Sequence, residues 1–93
     1  MDRKLIAARV PPPGRTIRKE LAARGWTQRY LAEQMGRPEQ KISEIISGKK
    51  RVTEGTALEL EEVFGIDASF WLSLEGNYRL HVAREARMRR KAG

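Results

Sequence analysis

Apolar positions recur at helical spacing in five stretches of the chain, an all-α pattern. In residues 14–24, Ile17, Leu21 and Ala22 fall at i, i+4 and i+5, and Gly25 stops the run. In residues 28–35, Leu31, Ala32 and Met35 form the stripe, Thr27 is placed to cap the first turn, and Gly36 offers the permissive backbone of a tight corner. Residues 38–47 carry Ile42, Ile45 and Ile46, with Pro38 in the first turn and Gly48 as the stop. Ala57, Leu60, Val63 and Phe64 give residues 54–64 an inward face between a Thr53 cap and Gly65. A fifth helix over 68–82, capped by Asp67, presents Phe70, Trp71, Leu74, Tyr78 and Val82, and Gly76 weakens its middle.

The second and third of these helices, with the corner at Gly36, organise the rest. A short helix, a glycine corner and a second short helix make a helix-turn-helix, whose second helix projects its early residues into the DNA major groove. This stretch, Thr27 to Gly48, resembles the phage-repressor (Xre/Cro-type) helix-turn-helix family. Placed on such a motif, Pro38, Glu39, Gln40, Ser43 and Glu44 face the bases. Gln40 is the best direct reader, since its amide can pair bidentately with adenine. Thr27 and Gln28, at the positive end of the preceding helix, are expected to clamp phosphate, together with Arg37, Lys41 and the loop Lys49, Lys50, Arg51.

Charge sharpens this reading. The formal net charge is +7, with +5 in residues 1–25, −3 in residues 26–78 and +5 in residues 79–93. Basic ends around a mildly acidic middle suit a polyanionic partner, the other reading being solvated ends. Pro11, Pro12 and Pro13 impose an extended segment, so residues 1–13 read as an arm. In it Arg3, Lys4 and Arg9 suit a groove or phosphates, whereas Leu5, Ile6 and Val10 suit packing against a protein. Arg15, Arg18, Lys19 and Arg24 line the first helix, as either a solvated face or backbone contacts. Residues 83–93 read as a basic extension that frays from the fifth helix. Glu59, Glu61 and Glu62 argue against the fourth helix lying on DNA.

Other function classes fit poorly. The chain has no cysteine and one histidine, His81, expected on a helix surface, so the usual metal and nucleophile sets cannot be assembled. No enzyme activity, cofactor, metal or small-molecule substrate is expected. Nor is a membrane span or signal segment, and a reducing cytoplasm is the natural compartment. At 93 residues a single domain is expected. Phe70, Trp71, Leu74 and Tyr78 either close the core or form part of a protein interface.

Pro12 and Gly14 before the first helix, then GWTQRYLAEQMG, RVTEGTALEL and above all DASFWLSLEGNYRL resemble the HigA-type (VapI-like) antitoxins, a branch of the same family. The resemblance covers roughly residues 12–82. It implies a five-helix, lambda-repressor-like domain that dimerises, represses its own operon at a palindromic operator and neutralises a RelE-like messenger-RNA-cleaving toxin of the HigB type. A stand-alone Xre-family regulator without a toxin would share the motif and the dimer. A protein-interaction module that has lost DNA binding is the remaining alternative, against which the Lys49 to Arg51 loop argues.

Overall fold

The computed structural model describes residues 10–92. The expected arm falls almost wholly on residues 1–9, outside the described part, and with it Arg3, Lys4, Leu5, Ile6 and Arg9. Five helices follow in order: α1 (Pro13–Arg24), α2 (Gln28–Met35), α3 (Glu39–Ser47), α4 (Glu54–Phe64) and α5 (Ala68–Ala92). The described residues contain no strand.

The helix starts follow local chemistry. Pro13 takes the first position of α1, where its missing N–H costs nothing, and Pro12 caps it in extended conformation. The hydroxyl oxygens of Thr27 and Thr53 accept the N–H groups of Tyr30 at 3.0 Å and Thr56 at 3.3 Å, so both act as N-caps as expected. At the α2–α3 corner Gly36 has φ 68°. Its N–H and that of Arg37 turn back to the carbonyls of Glu33 and Ala32, closing a Schellman motif that re-aims the chain into α3. Pro38 stands one residue outside α3, as its N-cap, rather than within the first turn.

The core joins Ile17 and Leu21 of α1, Leu31 and Met35 of α2, Ile42, Ile45 and Ile46 of α3, and Leu60 and Phe64 of α4. Trp71 of α5 closes it. This settles one open choice: Trp71 is fully buried, with its indole N–H donated to the Ile66 carbonyl at 3.2 Å and its ring 5.9 Å from that of Phe64. As an interface residue Trp71 is therefore corrected to core. A large aromatic with a satisfied polar handle is well suited to that place.

The fifth helix differs from expectation. It runs unbroken through Gly76 and on to Ala92, instead of fraying after Val82. Alanine, arginine, glutamate and methionine after position 82 are strong helix formers, and His81 and Glu85 pair at i, i+4. Arg89, Arg90 and Lys91 also suit the negative end of the helix. At about 1.5 Å per residue α5 spans roughly 37 Å, and it accounts for much of the molecule's 45 Å long axis. No helix among the described residues is long and apolar enough to cross a membrane.

Candidate nucleic-acid interface

The surface of α3 divides along its length. Ile42, Ile45 and Ile46 are buried against α1 and α2, which leaves Glu39, Gln40 and Ser43 exposed and Glu44 half-buried on the opposite face, beside exposed Pro38 at the cap. The five residues expected to read bases therefore do share one side of one helix end. Gln40 donates from Nε2 to the Glu44 carboxylate at 3.3 Å. That bond uses one of its two amide hydrogens and orients the group, and the other hydrogen and the amide oxygen remain for a base edge.

The expected phosphate contacts surround this face unevenly. Thr27 and Gln28 sit at the N-terminus of α2, and Lys41 is half-buried on α3. Lys49, Lys50 and Arg51 are exposed in the loop after α3 and have no carboxylate partner among the described residues. Arg37 is placed differently. Its fork clasps Glu59 of α4, Nε lying 3.1 Å from both carboxylate oxygens and Nη2 2.5 Å from one. The hydrogen bond first and the charge of Glu59 second raise the Arg37 guanidinium further above its ordinary value. Arg37 thus staples the motif's corner to α4, and its fork is engaged before any phosphate arrives.

The loop is shaped by residues the sequence reading passed over. Glu75 of α5 is buried, and its Oε1 accepts the Val52 N–H at 2.7 Å. Its other oxygen accepts from Arg79, which also donates to the Gly48 carbonyl at 3.2 Å. One ion pair on α5 thereby ties both ends of the segment that bears Lys49 to Arg51. A glutamate four residues after Trp71 on the inward stripe, with an arginine four residues further, was the available sign of a buried pair. Gly14 is a further position whose role the apolar pattern does not show. A Cβ there would lie 2.0 Å from the Ile46 carbonyl oxygen, so α1 and α3 meet backbone to backbone.

The remaining candidates scatter along α5. Phe70 is exposed, while Leu74 and Tyr78 are half-buried. His81 is not the plain surface residue expected: its side chain is only 17% exposed and stands 3.5 Å from the Glu85 carboxylate.

The Helix-turn-helix family model matches residues 17–71, from the buried Ile17 of α1 to the core Trp71. The chain belongs to the helix-turn-helix family. It is similar to virulence-associated protein I of Dichelobacter nodosus, 34% identical over 74 residues, which are 78% of this chain and 68% of that one. Among solved structures it is similar to an addiction module antidote protein of the HigA family from Coxiella burnetii, with 28% identity, a TM-score of 0.81 and coverage of 88% and 90% of the two chains. The Pseudomonas aeruginosa antitoxin HigA, solved with the higBA promoter, shares the fold at 24% identity, TM-score 0.81 and the same coverage. The expected likeness to the HigA-type, VapI-like branch of the Xre-type domains is thus borne out, as is the all-α helix-turn-helix fold.

Proposed function

We propose that this protein is a sequence-specific DNA-binding antitoxin that represses the operon encoding it and neutralises a RelE-like, messenger-RNA-cleaving toxin of the HigB type. It acts by binding rather than catalysis, in the cytoplasm. The observation that carries the DNA half is the exposed polar face of α3, headed by Gln40, next to a basic loop without carboxylate partners among the described residues. The toxin half is supported by the HigA-family antidote fold alone.

A base pair contact of this kind discriminates by roughly 1–3 kcal/mol, so one reading helix is too few to pick out an operator. The protein therefore acts as a homodimer on a pseudo-palindrome, its two α3 helices about 34 Å apart, one turn of DNA. The test is a salt titration against the DNA upstream of its own gene beside a scrambled duplex. A preference of about a thousandfold or more supports autorepression. Equal affinity for both overturns it. Co-expression with the protein encoded next door then tests the toxin: rescue of growth supports neutralisation, and a harmless neighbour points to a stand-alone regulator.

A further inference from the structure

We propose that Glu75 and Arg79 are positioning residues for DNA binding: from α5, without touching the nucleic acid, they hold the Lys49–Arg51 loop in the shape that grips phosphate. The proposal rests on the DNA-binding reading above. The geometry is specific. Glu75 is 7% exposed, yet its carboxylate faces no solvent-side task; one oxygen takes the Val52 N–H at 2.7 Å and the other takes Arg79. Arg79 in turn takes the Gly48 carbonyl, left over at the C-terminus of α3, at 3.2 Å. Gly48 and Val52 are the two residues that bracket the three bases. The loop between them has one further backbone tie, from the Lys50 N–H to the Glu44 carbonyl at 3.1 Å.

Three cations on three consecutive residues repel one another and gain from any looser arrangement. In water such a loop samples many shapes, and each ordered phosphate contact then loses affinity in proportion to the fraction of time the loop is misplaced. Fixing both ends to one rigid helix removes that loss. Carboxylate and guanidinium are the groups for this work, since a charged acceptor and a forked donor make the strongest bonds to single backbone groups.

The decisive variant is Glu75→Gln, because two explanations give opposite signs. Glu75 as a plain charge opposes DNA, so its removal would tighten binding and leave the loop contacts intact. Glu75 as a positioning residue makes binding weaker. A slope of about 0.9 per phosphate, extrapolated to 1 M salt, gives each contact about eightfold in affinity at 0.1 M. Glu75→Gln is therefore expected to lose about eightfold for one contact or sixtyfold for two, equally on operator and scrambled DNA, with the salt slope smaller by about one or two. Arg79→Lys, which keeps the charge but reaches one acceptor where arginine reaches two, is expected to shift in the same direction.

Two readouts separate positioning from mere stability. In DNA-free protein the Val52 amide is expected to exchange faster in Glu75→Gln. In a background of Lys49→Ala, Lys50→Ala and Arg51→Ala, the same substitution is expected to change affinity no further. Unchanged or tighter binding by Glu75→Gln overturns the proposal, as does a loss that persists in the triple-alanine background. A wild-type chain that prefers no DNA overturns the functional reading first and this proposal with it, so the two failures are distinguishable.

Discussion

Gly14→Ala puts a methyl group where the structure has no room for one. The added Cβ would stand 2.0 Å from the oxygen, 2.6 Å from the carbon and 2.8 Å from the Cα of Ile46, all of them backbone atoms. Opening the shortest of these to the 3.0–3.4 Å of a tight real contact requires the start of α1 and the end of α3 to part by about 1 Å. Intrinsic propensity acts the other way, since alanine is better than glycine inside a helix by about 1 kcal/mol. Overpacking a well-filled site costs typically 1–3 kcal/mol, and a clash against backbone, which has no rotamer to change, belongs at or above the upper end of that range. The net expectation is a loss of about 2 kcal/mol, or roughly 8–16 °C in melting temperature for a domain of this size. Gly76→Ala is the internal control: it is also helical, but nothing lies within 4 Å of its Cβ. That substitution is expected to stabilise by about 0.5–1 kcal/mol. Thermal unfolding followed by circular dichroism measures both. A Gly14→Ala protein that melts at or above the wild-type temperature would refute the close approach of α1 and α3, whatever Gly76→Ala does.

Other substitutions probe separate parts of the molecule. Gln40→Ala is expected to relax preference at one base position, whereas Lys50→Ala weakens every sequence alike and lowers the salt slope by about one, both read by binding titrations; uniform losses in both would contradict the division of labour. Trp71→Ala is expected to lose about 3–5 kcal/mol in denaturant unfolding, because the indole fills the core and its N–H is satisfied. Asp67 accepts the Ser69 hydroxyl at 2.6 Å and the Ser69 N–H at 2.8 Å, and these two bonds, the side-chain one first, lower its carboxyl below the ordinary value. Its contribution is thus present above the ordinary carboxylate range and lost as pH falls below about 4. Asp67→Asn should therefore lower stability near neutrality, change little in strong acid and so flatten the acid limb of the stability curve; an unchanged acid limb would remove Asp67 from the account.

The apolar spacing was enough to place all five helices, because each buries a stripe and the first four stop at a glycine. The exposed face of α3 followed from the same periodicity by subtraction: once Ile42, Ile45 and Ile46 are inside, Gln40 and Ser43 are outside. What the pattern could not supply was pairing across the chain. Arg37 reads as one more basic residue near the motif until Glu59, 22 positions later, is seen against it. Glu75 and Arg79 read as ordinary helix charges until their bonds to Val52 and Gly48 are in view. The extent of α5 was misjudged for another reason. A run of bases suggested a tail, but its residue types favour helix and no breaker interrupts them after Gly76.

The contacts that hold α3 in place are directed at its backbone or at its buried face. Gly14 packs on the Ile46 carbonyl, Arg79 holds the Gly48 carbonyl, and the three isoleucines fill the core. Pro38, Glu39 and Ser43 take no part in that packing, and Gln40 is tied only to Glu44. On the function proposed above, operator preference therefore changes by substitution on the outer face with little effect on the fold. The supporting positions have no such latitude. A backbone approach of this closeness admits only glycine at 14, and a buried acceptor for the Val52 N–H requires at 75 a group that is hydrogen-bonded and, beside Arg79, negative. On that proposal, base preference and the hold on α3 rest on different residues, and each can be altered while the other is measured.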